Sequence, residues 1–107
     1  MLLTPTELER LTIFTAAELA RRWRARGWRL NHPEALALIC DEMHAAARGG
    51  ASYEEVVAVG RSVLTEDDVL DGVADLIATV KLECLFGDGA RVLYVERPIG
   101  SRAGARP

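Results

Sequence analysis

The chain has 107 residues, half of them hydrophobic and 27% charged, a composition that fits one globular domain and argues against a disordered chain. Thirteen lysines and arginines against sixteen aspartates and glutamates leave a formal charge of -3, which disfavours a protein that holds nucleic acid through its overall charge. No apolar run reaches the about 18 residues of a membrane span. The opening MLLTPTELER lacks the basic-then-apolar pattern of a secretory leader, and Cys40 and Cys84 form no CxxC, so reduced thiols and a cytoplasmic protein are expected.

Four helix starts are legible in chain order. Thr4-Pro5-Thr6-Glu7 places a hydroxyl at the N-cap, proline at the first helical position and a carboxylate at the third. Asn31 with Glu34, Ser52 with Glu55 and Thr65 with Asp68 repeat the spacing. The first helix is expected from Pro5 to about Arg26, stopping at Gly27. Its buried stripe would be Leu8, Leu11, Thr15, Leu19 and Trp23, widened by Ile13, Ala16 and Ala20. The second runs from His32 to about Ala47, burying Leu36, Ile39, Met43 and Ala46, and ends at Gly49-Gly50. A short third covers Tyr53 to Val59 and closes at Gly60. The fourth begins at Glu66 and carries Val69, Leu70, Val73 and Ile77, weakened by roughly 1 kcal/mol at the internal Gly72.

Residues from about 80 to 98 read as a β-hairpin turning on Asp88-Gly89. That centre pairs Lys81 with Glu96, Leu82 with Val95, Glu83 with Tyr94 and Cys84 with Leu93. The helices would cover Val80, Leu82, Cys84, Leu93 and Val95, leaving two strand edges for water or another chain. The expected fold is therefore α+β: a mainly helical domain of about four helices, then a C-terminal two-stranded antiparallel hairpin. Residues 1–99 form the one domain, and residues 100–107 a disordered tail or remnant linker.

Candidate chemistry is thin. His32 and His44 lie about 18 Å apart along one helix and cannot share an ion. Cys40 and His44, at i and i+4, supply two soft ligands where zinc needs three or four. Asp67, Asp71 and Asp75 would share one helical row but lack the alternating loop that wraps calcium. The run from Arg21 to Arg29 interleaves five arginines with Trp23 and Trp28, a pattern that suits an interface more readily than nucleic acid. No nucleophile elbow, zincin helix or phosphate loop is present.

The ordered pieces resemble the urease gamma subunit. They are LTP-x-E at the start, ARG-x-x-LN-x-PE from Ala25 to Glu34, AAR-x-G at 46–50, GR-x-VLT-x-DDV from Gly60 to Val69 with GV at 72–73, V-x-L-E-x-x-F-x-DG from Val80 to Gly89, and Pro98-Ile99. The resemblance implies a small helical domain with a hairpin, the smallest of three chain types in a nickel-dependent urease built from three copies of the three-chain unit. It implies that the nickel ligands and catalytic residues belong to the alpha chain, so that this chain carries no catalytic residue, no metal and no cofactor. Its partners would be the beta and alpha chains, with no nucleic acid and no membrane. Candidate contact residues are Trp23, Trp28, Arg29, His32, Phe86, Tyr94, Glu96, Arg97 and Ile99.

The chain departs from the family pattern at named places. Gly87 stands for proline in the usual F-P-D-G, and Cys84-Leu85 for Ala-Thr. Gly72 to Ile77 replaces GVPEMI without its proline, and Glu96-Arg97 replaces the His-Asn or His-Gln before Pro98. Two other readings follow from these changes and from the arginines: a gamma-like protein of a complex without urease activity, and a small nucleic-acid binder using Arg21, Arg22, Arg24, Arg26 and Arg29.

Overall fold

The computed structural model describes residues 3–100. Three of the helix starts are built as the spacing predicts. The Glu7 amide donates to the Thr4 hydroxyl at 3.1 Å while the Thr4 amide donates to Glu7 Oε1 at 3.0 Å, opening α1 at Pro5–Ala25. Asn31 and Glu34 exchange bonds of 3.0 and 2.9 Å at the start of α2, His32–Arg48. Ser52 and Glu55 do so at 3.2 and 2.8 Å for α3, Tyr53–Gly60. The chain leaves α1 through a tight reversal in which the Trp28 amide donates to the Trp23 carbonyl at 3.1 Å.

Helix α2 is the central element, lying against α1, α3 and the first hairpin strand. It buries Ala35, Ala37, Leu38, Ile39, Cys40, Met43 and Ala47, more of its circumference than the predicted stripe, with Leu36 and Ala46 only partly covered. In α1 the prediction is overturned for its main stripe, while the expected Ala20 is buried and Ile13, Ala16 and Trp23 pack partly against the core. Leu8, Leu11, Thr15 and Leu19 face outward, and the helix turns in the opposite side, where Ala17 and Ala20 are fully buried and Ile13 and Ala16 partly so. Periodicity detects that a helix has an apolar face; when two faces qualify, it does not say which one a neighbour covers. Here the small side chains face inward, and alanines admit a close neighbouring helix.

The predicted fourth helix is also corrected. Glu66–Asp68 forms only a 3-10 turn, with the Thr65 amide donating to Asp68 Oδ2 at 2.8 Å. Val69 is extended, and Leu30 pairs with it as a parallel bridge: the Leu30 amide donates to the Asp68 carbonyl and the Leu70 amide to the Leu30 carbonyl, both at 2.9 Å. Backbone groups that a continuous helix would need are thus engaged by the α1–α2 connection. Gly72, at φ +87°, turns the chain into a single helical turn, α4 at Val73–Leu76. Asp67, Asp71 and Asp75 consequently share no helical row.

Strands β1, Thr79–Phe86, and β2, Gly89–Glu96, form the hairpin. Its turn sits one residue earlier than predicted, on Gly87-Asp88, so every partner shifts by two. Val80 faces Val95, Lys81 faces Tyr94, Leu82 faces Leu93, Glu83 faces Val92 and Cys84 faces Arg91. The only positive φ in the reversal is Gly89 at +125°, the residue after the turn rather than its second centre. Because the slip is even, the predicted inner face survives: Val80, Leu82, Cys84, Leu93 and Val95 are all buried.

The last described residue is tied back to the loop before the 3-10 turn. Gly100 donates to the Leu64 carbonyl at 3.1 Å and accepts from the Glu66 amide at 2.9 Å. Gly100, expected to begin the tail, is therefore bonded into the fold, and residues 101–107 lie outside the described residues.

Candidate functional site

The arginine run and the acidic segment, about 40 residues apart in sequence, are folded against each other. Arg24 reaches Asp68 at 3.4 Å and Arg29 reaches Asp71 at 3.1 Å, flanking the Leu30–Val69 bridge. Arg21 points the other way, to Asp41 of α2 at 2.6 Å and to Glu18. Three of the five guanidinium groups in the run are thus paired within the chain. Arg26 lies over the Trp28 ring at 5.5 Å, a cation–π contact, and Trp28 stacks on Trp23 at 5.4 Å between centroids.

The predicted contact residues fall into separate regions. Trp23, Trp28 and Arg29 surround the α1–α2 connection, and His32 is half-buried in the first turn of α2. Phe86 stacks on Tyr53 at 6.2 Å near the hairpin turn. Tyr94 is exposed on the outer sheet face with the Lys81 ammonium 6.0 Å from its ring, and Glu96 accepts from the Thr79 hydroxyl at 2.9 Å. Ile99 is buried in the chain's own core.

Arg97 is exposed at φ +46°, the one non-glycine residue with positive φ among the described residues, and its amide donates to the Ala78 carbonyl at 2.7 Å. The hairpin's second edge is partly covered from α3, since Tyr53 Oη donates to the Val92 carbonyl and the side chain of Arg61, just past the helix, donates to the Glu96 carbonyl, both at 3.3 Å.

The surface that sequence reasoning missed is the outer side of α1. Leu8, Leu11, Phe14 and Leu19 stand 46–56% exposed in one helix. The available signal was an excess: α1 has more large apolar residues than one face can hold.

The family model described as "Urease, gamma subunit" matches residues 1–99. The chain belongs to the urease gamma-subunit family. It is 52% identical over its whole length to "Urease subunit gamma/beta" of Pseudomonas syringae pv. syringae (strain B728a), covering 46% of that protein. It is 55% identical over 97% of its length to the protein of the same description from Streptomyces avermitilis, again covering 46% of it. The match to the one from Streptomyces coelicolor is 55% over 94% of the chain, covering 44%. The chain thus spans about half the length of these curated relatives.

Among the described residues of this gamma-family chain, no group of three or more His, Cys, Asp or Glu side chains is placed to hold a metal ion. The two buried thiols are poor donors: burial pushes Cys40 up to about 12, helped by nearby Cys84, and burial pushes Cys84 up to about 11. His44, half-buried beside Arg10, is held below its ordinary value by burial first and by that guanidinium second. A nickel ion does not fit this donor set among the described residues. What the gamma-family fold offers is surface: two stacked tryptophans, an outward apolar helix face and a strained arginine at the hairpin base.

Proposed function

We propose that this chain is a non-catalytic structural subunit of a nickel-dependent urease, the enzyme that hydrolyses urea to ammonia and carbamate. It assembles with beta and alpha chains in a unit repeated three times, and the nickel and the catalytic residues reside on alpha. The complex works in the cytoplasm. The observation that carries this reading is the gamma-family match across the whole described domain. The relatives' joint gamma/beta description supports a beta partner, since this chain corresponds to about half of such a protein. The internal pairing of Arg21, Arg24 and Arg29 also supports a contact protein over a nucleic-acid binder, because paired guanidinium groups are poorly placed to meet phosphates.

The test is co-expression with urease beta and alpha chains, followed by size analysis, nickel content and ammonia release from urea. The chain is expected to enter a nickel-containing, urea-hydrolysing complex, and alone to release no ammonia. A chain that stays outside the complex defeats the subunit reading. Turnover by the purified chain defeats its non-catalytic part. Entry into an inactive, nickel-free complex transfers the assignment to a gamma-like assembly protein.

A further inference from the structure

Asp71-Gly72 and Asp88-Gly89 are the two Asp-Gly steps of the chain, and the fold holds them differently. At such a step the backbone nitrogen after the aspartate can attack the side-chain carboxyl carbon and close a five-membered ring. Glycine lacks the Cβ that hinders this approach at every other residue. Both glycines also stand clear of other atoms, since a Cβ at either would meet nothing within 4 Å. Crowding therefore does not separate the two steps; hydrogen bonding does.

The first step is loosely held. Leu70 to Val73 is a reverse turn closed by the Val73 amide on the Leu70 carbonyl at 3.1 Å, with Gly72 at φ +87° in its third position. The Gly72 amide donates to no group among the described residues. The Asp71 side chain is 90% exposed, and its contact with Arg29 at 3.1 Å is one that solvent weakens. The second step is tied down. Asp88 meets the Arg91 guanidinium at 2.6 Å, and Gly89 is the first residue of β2, paired with Phe86 across the turn. Turning the Gly89 amide toward the carboxyl group would open the end of the ladder.

We propose that Asp71 is a site of spontaneous covalent modification, isomerising to isoaspartate through a succinimide, while the hairpin protects Asp88. First the Gly72 nitrogen bonds to Asp71 Cγ, and the amide proton leaves with a carboxyl oxygen and a second proton as water. Water then adds to one of the two ring carbonyls. Attack at Cγ restores aspartate. Attack at the main-chain carbonyl breaks its bond to the Gly72 nitrogen and leaves the chain running through Cγ. The water lost is the water regained, so no oxidant or reductant is needed.

The product alters the contact between the arginine run and the acidic segment. The backbone between Leu70 and Val73 gains a methylene, and the carboxylate now sits directly on the main chain, drawn back from Arg29. The lengthened turn adjoins the hydrogen bond of 2.9 Å from the Leu70 amide to the Leu30 carbonyl. This inference concerns bonds within the chain and stands apart from the subunit reading.

Ageing the purified full chain in warm, neutral buffer tests it. Isoaspartate is located by chromatographic peptide mapping and counted with an isoaspartyl methyltransferase and labelled S-adenosylmethionine. Position 71 is expected to accumulate isoaspartate several-fold faster than position 88. In concentrated urea, where neither turn persists, the two rates should converge. Asp71→Glu should abolish the signal at 71, because the ring it would need is larger. Asp71→Asn should convert faster than wild type and release ammonia, which leaves a neutral carboxamide more readily than hydroxide leaves a carboxylate. Absence of isoaspartate at 71 in the folded chain overturns the proposal, as do equal rates at the two positions or a faster one at 88. A several-fold difference that persists in urea overturns it too, since neighbouring residues rather than the fold would then set the rates.

Discussion

Helices α1 and α2 begin alike, each with a reciprocal cap and a proline in the first turn, yet they contribute differently to the fold. Over 21 residues α1 buries two alanines, whereas α2 buries seven residues in 17. The difference lies in neighbours. Helix α2 is enclosed by α1, α3 and β1, while α1 rests chiefly on α2. Helix propensity and caps decide that both segments are helical; the number of sides covered decides how much stability each side chain supplies.

The largest effects should therefore come from α2. Met43 is fully buried, and truncation to alanine is expected to cost about 2–5 kcal/mol in urea unfolding. Gly60 at the end of α3 sharpens the point, because an added Cβ would meet Met43 Sδ at 2.9 Å and Val95 Cγ2 at 3.1 Å. Gly60→Ala alone should cost about 1–3 kcal/mol through overpacking. Combined with Met43→Ala it should cost less than the two added together, since the new methyl then enters the space the sulfur leaves. Strict additivity would show that the two sites do not share that volume.

At the hairpin base the expected change has the opposite sign. Arg97 holds a positive φ that its side chain disfavours, and asparagine tolerates that region best among non-glycine residues. Arg97→Asn should raise stability by about 1 kcal/mol in the same unfolding measurement. An unchanged or lowered midpoint would mean that the guanidinium supplies a compensating contact.

A smaller effect should appear with pH. His44 on α2 is held below 6.5 by burial and by Arg10, with Asp41 and Glu9 pulling the other way; Lys81 and Glu83 line the same small cavity. The unfolded chain takes up this proton near 6.5, while the folded chain resists it to lower pH. Stability should thus be undiminished by this group above 6.5 and fall as pH drops from there toward the folded value. His44→Gln should flatten the thermal midpoint across that interval, and an identical slope in the variant would remove His44 as its source.

How much of this was readable depends on the range of the forces involved. The caps at Thr4, Asn31 and Ser52 are contacts across three residues, and the sequence pattern located them correctly. The alternation Val80, Leu82, Cys84 is local too, so the inner sheet face was legible even though the turn lay one residue early. The loss of the fourth helix was not legible, because Val69 is held extended by Leu30, about 40 residues away. The same holds for Arg24 with Asp68 and Arg29 with Asp71: each charged run was visible, but their meeting is a product of the fold. The outward face of α1 is the plainest case, since its leucines obey the helical period and only the position of α2 decides that they are left over.

The smallest predicted effect is the one that most directly tests the contrast between the helices. Leu11→Ala and Leu19→Ala remove as many carbon atoms as common core truncations, but from a side left half-exposed by the described residues. At concentrations dilute enough to keep the chain monomeric, each should change stability by no more than about 0.5 kcal/mol, alanine's better helix propensity offsetting the small loss of contact. Ile39→Ala in α2, a truncation of similar size at a fully buried position, should cost about 2–5 kcal/mol in the same buffer. If Leu11→Ala destabilises the dilute monomer as much as Ile39→Ala does, then α1 is seated on its leucine side in solution. The helix would in that case be rotated about its axis from the arrangement described, and the alanine face would be the exposed one.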